Sequence, residues 1–164
     1  MLSKTMHEAL NEQINHEMSS AYLYLSMAAH FDAQNLSGFA NWMHVQYKEE
    51  NEHAMKFYRY IYDRDGTVTL KAIPQPPIKF TTPLEVFRQV LEHEKKVTAL
   101  IHSLYALATK ENDYATQAML QWFLTEQVEE EKNATEIIKL LEMTGDSSMG
   151  LIMLDRKLAE RKRN

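Results

Sequence analysis

The stretch Phe39-Ala40-Asn41-Trp42-Met43-His44-Val45-Gln46-Tyr47-Lys48-Glu49-Glu50-Asn51-Glu52-His53-Ala54-Met55-Lys56-Phe57-Tyr58-Arg59-Tyr60 decides the fold. Phe39, Met43, Gln46, Glu50, His53, Phe57 and Tyr60 recur at three- and four-residue steps, the period of one buried helix face. Glu50 and His53 break that face in its middle, one turn apart and on the same side. Working outward, three more segments repeat the pattern. Leu10, Ile14, Glu17, Ala21, Tyr24, Ala28 and Phe31 form one; Phe87, Val90, Glu94, Val97, Ile101 and Leu104 another. Leu120, Phe123, Gln127, Glu130, Ala134, Ile137 and Leu141 form the last. Carboxylates are almost never buried unpaired, and none of these levels supplies a Lys or Arg. Four acids buried at one height therefore call for cations between them.

Punctuation places the helices. Thr5 and Glu8 have capping-box spacing and open a run to about Asp32. A break at residues 34–38 starts the second run, which ends near Asp65-Gly66. Thr82, Pro83 and Glu85 supply an N-cap, a first-turn proline and a capping acid for the third, which reaches about Lys110. Asn112-Asp113 begin the fourth, and Gly145 after Thr144 suits its end. Asp146, Ser147 or Ser148 could cap a short fifth helix running to about Arg161. Only Thr67-Val68-Thr69-Leu70 reads as strand. Short turns make antiparallel hairpins of helices one with two and three with four. Between the hairpins lie residues 66–82, with Pro74, Pro76 and Pro77. Extended, that segment reaches about 55 Å, against about 42 Å for a helix of about 28 residues. The expectation is an all-α chain: one domain over residues 1–164, a four-helix bundle with one long crossover and a short fifth C-terminal helix.

Composition removes other classes. At 164 residues the chain can bury one sizeable core. Its net charge of −5 offers no broad basic surface, so no nucleic-acid partner is expected. The basic end (Arg156-Lys157 and Arg161-Lys162-Arg163) reads as a solvated helix terminus. Zero cysteines exclude disulfides, thiolate zinc sites and cysteine-ligated iron–sulfur clusters. No apolar signal core or membrane-length run is present, so a cytoplasmic, non-membrane protein is expected.

Glu17, Glu50, Glu94 and Glu130 carry four charges that two divalent cations would balance. Oxygen-rich ligation with a single imidazole, His53, suits iron or manganese and admits zinc. Carboxylate-bridged coordination with open positions favours iron and dioxygen. Glu126, Glu129 and Glu130 share a helix face, and Glu49 neighbours Glu50. They read either as a third, oxygen-only metal site or as a solvated acidic face. His16, His30, His44, His93 and His102 read as surface or hydrogen-bonded histidines, Trp122 as packing, and the ten methionines as gap-fillers. Leu151, Ile152, Leu154 and Leu158 give the fifth helix an apolar side larger than it can bury alone, which favours an oligomer contact.

The segments Asn11-Glu12-Gln13-Ile14-Asn15-His16-Glu17, Glu49-Glu50-Asn51-Glu52-His53 and residues 121–132 resemble prokaryotic non-haem ferritins, as does the rest of the chain. The resemblance implies a 24-subunit homo-oligomeric hollow shell that oxidises Fe²⁺ with O₂ or H₂O₂ and stores a ferric mineral. It assigns Glu17, Glu50 and His53 to a first iron, with Glu50 bridging. Glu94 and Glu130 complete a second, and Glu49, Glu126, Glu129 and Glu130 match a third site. Gln127 sits where the family has a polar residue near the first iron. Tyr24 is implied near the irons, either as an electron donor or as a core tyrosine. Haem-containing bacterioferritins are similar too, but carry a second Glu-x-x-His where Gln127 and Glu130 stand and a methionine where Glu52 stands. No haem is expected. Two other classes compete: a diiron oxidase acting on an organic substrate without mineral storage, and a structural bundle whose acids form ion pairs.

Overall fold

Each helix starts where an acceptor meets N–H groups that the helix itself leaves unpaired. Ser3 Oγ accepts from Met6 N–H at 3.0 Å and opens α1 (Lys4–Asp32). Thr5, the expected cap, lies inside the first turn; Ser3 caps equally well and its hydroxyl is also tied to Glu111 at 2.7 Å. Thr82 Oγ1 accepts from Glu85 N–H ahead of Pro83 and starts α3 (Pro83–Lys110). Asp113 starts α4 (Tyr114–Thr144), and Ser147 starts α5 (Ser148–Leu158), which ends three residues before the expected Arg161. Asn35, Asp65 and Asn112 take φ of 57°, 57° and 56°, so Asn and Asp stop α1, α2 (Ser37–Asp63) and α3. Residues 67–70 form no strand. The computed structural model describes residues 1–162, and Arg163 of the basic end lies outside them.

The start of α2 is different. Its N-cap, Leu36, has no side chain to offer. Asp155 on α5 reaches across and accepts from Gly38 N–H at 2.9 Å and Phe39 N–H at 3.0 Å. The approach is so close that a Cβ on Gly38 would sit 1.6 Å from the Asp155 carbonyl oxygen. Gly38→Ala should therefore push α5 away, costing about 1–3 kcal/mol by overpacking. Thermal melts check it: an unchanged Tm would mean that α5 does not cap α2.

The crossover runs the length of α1 and is pinned at both ends. Thr67 N–H donates to His7 Nε2 at 3.1 Å and Thr69 N–H to Asn11 Oδ1 at 2.7 Å. Lys71 pairs with Glu12. At the other end Ser26 Oγ donates to Pro77 O at 2.6 Å, and His30 Nε2 lies 3.3 Å from Thr81 O. From His7 to His30 is about 35 Å of helix, so the second hairpin enters antiparallel to a helix it does not follow directly.

Two apolar clusters fill the bundle. One holds Phe31 stacked on Phe39, with Trp42 against Phe87. The other holds Phe57 stacked on Phe123 among Met6, Leu10, Ile61 and Ile101. Along every helix the expected acids fall between the two clusters. The expected stripes are buried at every position except Tyr60, which is partly exposed and bonded to Thr116. On α5, Leu154 and Leu158 enter the first cluster and Leu151 packs on it. The chain thus covers most of the face assigned to an oligomer contact, because α5 folds back onto α2. Only Ile152 of that set stays exposed, beside Met149 and Met153.

Candidate metal centre

Between the clusters lies a single polar layer. Glu17, Glu50 and Glu94 are 1% exposed, Gln127 3%, and His53 and Glu130 4%, so water cannot supply their hydration. His53 Nδ1 lies 3.4 Å from Glu50 Oε2. The ligand atoms of Glu17, Glu50 and His53 all fall within 4.8 Å of one another. Glu17 Oε2 and Glu50 Oε2 are buried without a hydrogen-bond partner. Two orphaned carboxylate oxygens beside an imidazole are the donor set of a divalent cation.

The remaining acids are held by amides and a phenol. Gln46 Nε2 donates to Glu50 Oε1 at 3.1 Å and to Glu130 Oε2 at 2.9 Å, joining α2 to α4. Gln13 Nε2 donates to Glu17 Oε1 at 2.8 Å. On α3, Glu94 accepts from Tyr24 O–H at one oxygen and from Gln127 Nε2 at the other, at 3.1 Å. Tyr24 is packed edge-on to Trp42 and His93, and His93 is bonded to Ser20 at 2.8 Å. Gln127 thus orients Glu94, while Tyr24 touches the acid layer directly.

Burial and like charge act together on the acids of this layer. Burial, then Glu50, pushes Glu17 well above the ordinary carboxylate range. Burial, then Glu94, does the same to Glu50; burial, then Glu94 and Glu50, to Glu130. Glu94 is raised by burial against the pull of the Tyr24 and Gln127 bonds. Tyr24 is held well above the usual phenol range by burial and then by Glu94. His93 is pushed down to about 4 by burial, so it is neutral.

An outer acidic set adjoins this layer. His53 Nε2 is 3.9 Å from Glu126 Oε1, and His53, Glu126 and Glu130 form a second group with ligand atoms within 4.8 Å. Glu49, Glu126, Glu129 and Glu130 line a cavity of about 460 Å³. Trp122, 40% exposed, packs on His53 at 5.3 Å under Lys56.

Sequence reasoning missed three contributors. Gln13 and Gln46 stand four residues before Glu17 and Glu50, a helical neighbour spacing that could have found both. Arg161 left no such signal. It is no solvated end: its Nη2 donates to Glu49 Oε2 at 2.7 Å and Gln46 Oε1 at 2.9 Å. A cation absent from the four stripes therefore arrives from the tail.

Residues 7–144 match the family model of the ferritin-like domain. The chain is 42% identical to the bacterial non-heme ferritin of Staphylococcus aureus (strain USA300), covering 98% of this chain and 97% of that protein. Identity to the bacterial non-heme ferritin of Staphylococcus haemolyticus (strain JCSC1435) is 44% over the same shares. Among solved structures, it superposes on the open pore ferritin of the archaeon Archaeoglobus fulgidus with a TM-score of 0.97, at 48% identity and 98% coverage of both chains. A humanized archaeal ferritin gives 0.99 at 46% identity, covering 100% of this chain and 99% of that one. With the crossed-over bundle and its buried acid layer, these likenesses show that the chain belongs to the ferritin family, the proteins that store iron.

Proposed function

We propose that the chain is a ferroxidase whose buried layer takes two Fe²⁺, oxidises them and passes ferric iron to a mineral store. The observation that carries this reading is the pair of orphaned oxygens on Glu17 and Glu50 beside His53. Glu17, Glu50 and His53 bind the first ion; Glu50, Glu94 and Glu130 bind the second. Two Fe²⁺ give two electrons to O₂, which takes two protons and leaves as H₂O₂; H₂O₂ can itself serve as oxidant. Charge favours the product, because the ionised carboxylates hold Fe³⁺ more strongly than Fe²⁺. Gln13, Gln46 and Gln127 hold the carboxylates in place, so little reorganisation is needed as charge rises.

The outer acids Glu49, Glu126 and Glu129, with Glu130, form a third iron site on the way out. The assembly is a homo-oligomeric shell of 24 such chains in the cytoplasm; the exposed Met149, Ile152 and Met153 of α5 are apolar surface for its contacts. Haem has no part in this reading, since Gln127 and Glu52 stand where the haem-containing relatives differ. None of the described helices is long and apolar enough to cross a membrane.

Aerobic addition of Fe²⁺ to metal-free protein, followed by stopped-flow absorbance and sedimentation, tests the proposal. A fast phase saturating at two irons per chain, then a heavy particle retaining far more iron, is expected. Fast oxidation in a small particle that retains no mineral would move the function to a diiron oxidase. Tyr24→Phe removes the donor to Glu94 and any phenol electron, so turnover after the first oxidation should slow several-fold while Zn²⁺ stoichiometry holds. Identical multi-turnover traces would leave Tyr24 as packing alone.

A further inference from the structure

Beyond α5 the described residues, 159–162, stay on the molecule. Asn41 Nδ2 donates to Leu158 O and to Arg161 O, both at 3.1 Å, and lays the tail along α2. The Arg161 guanidinium then turns inward. It stacks over Trp42 at 4.2 Å, donates from Nη1 to Trp42 O at 3.2 Å, and donates from Nη2 to Glu49 and Gln46. The side chains of Arg161 and Glu49 are only 17% and 13% exposed. A planar donor with carboxylate, amide, carbonyl and aromatic partners is held in one orientation rather than loosely paired.

The position matters because Glu49 lines the acidic cavity with Glu126, Glu129 and Glu130. We propose that the tail is a strap whose Arg161 guanidinium stands in for a cation in this pocket, so that a metal ion can take Glu49 Oε2 only by displacing it. The proposal deepens the iron-handling reading and rests on it for the identity of the physiological ion. A lysine fixed on a bundle helix would occupy the pocket permanently. A cation carried on a segment past α5 can leave by releasing the backbone carbonyls held by Asn41 and one side chain from the pocket.

The exchange is linked to the inner layer. Gln46 Oε1 accepts from Arg161, and this fixes which end of the amide faces inward; Nε2 then grips Glu50 and Glu130. When the guanidinium departs, that constraint on the amide goes with it. Filling the outer pocket thus removes one of the three bonds that hold the Gln46 side chain, leaving its bonds to Glu50 and Glu130.

The test uses assembled full-length protein and Zn²⁺, which binds without redox chemistry, in a Trp122→Phe background that leaves Trp42 as the only tryptophan. Calorimetry on this parent should show two tight ions per chain and a weak third. Arg161→Ala should bind the third at least about tenfold more tightly, and Arg161→Lys, which keeps charge without the fork, should fall between. Trp42 emission should change as the third ion enters the parent, because the guanidinium leaves its ring, and should not change in Arg161→Ala. Arg161→Gln, which keeps a donor for Glu49 without charge, stands in should the alanine variant fail to fold. A third ion bound no more tightly without the Arg161 charge would overturn the strap. Absence of the two tight ions in the parent would instead overturn the reading of the inner centre.

Discussion

Glu50→Ala should abolish the fast phase of Fe²⁺ oxidation while the helices and the assembly persist. Glu50 is the one acid that reaches both halves of the layer. Its Oε2 is orphaned beside His53, and its Oε1 shares the Gln46 amide with Glu130. On the proposed assignment, removing it would delete a ligand from each ion and the bridge between them. Changing residues that merely support metal ligands costs about 10–100-fold, so losing this ligand should cost at least about 100-fold. The fold should survive, because the lesion removes a buried carboxylate already raised by desolvation and like charge. His53→Ala loses one ion's nitrogen and should also lose the fast phase. Stopped-flow mixing decides the matter, with circular dichroism and sedimentation as controls. Fast oxidation retained in Glu50→Ala would remove the bridge from the site.

The second large effect is on stability. Saturating Zn²⁺ should raise the Tm of the metal-free protein by about 10–20 °C. Each ion at about 100 times its Kd adds about 2.7 kcal/mol, and a chain of this size gains about 2–4 °C per kcal/mol. The pH dependence follows from the direction of the shifts. Glu17, Glu50, Glu94 and Glu130 are all raised when folded, so the native state holds protons that the unfolded chain releases. Metal-free stability is therefore greatest where these acids are protonated and falls as pH rises through their folded values, above the ordinary 4.5. His93 acts oppositely, but only between about 4 and its ordinary 6.5, where the unfolded chain takes a proton and the folded one does not. Between pH 6.5 and 8, where His93 no longer opposes them, metal-free Tm should fall by as much as these acids still release protons there. The Zn²⁺ increment should grow over the same window, because the ion requires ionised carboxylates. Scanning calorimetry at both pH values checks this; a Zn²⁺ increment near zero would mean that the acid layer does not hold divalent ions.

Much of this centre was legible along the chain because helical burial has a period. Glu17, Glu50, Glu94 and Glu130 each interrupt a regular stripe, and the structure buries all four between two apolar clusters. Gln13 and Gln46 were missed although their i−4 positions carried a signal, since an amide one turn before a carboxylate can reach it. Ser3 displaced Thr5 as the cap of α1 because two hydroxyls lay within reach of the same first turn, and local pattern alone does not choose between them.

Alone, the sequence determined the four long helices, the single crossover and the acid layer, which follow from helical period and loop length. The tertiary structure decided what has no period. It brought Asp155 to the bare start of α2, took α5 into the core and turned Arg161 onto Glu49. Those partners lie more than a hundred residues apart in the chain, and only the return of α5 across α2 sets the distance between them.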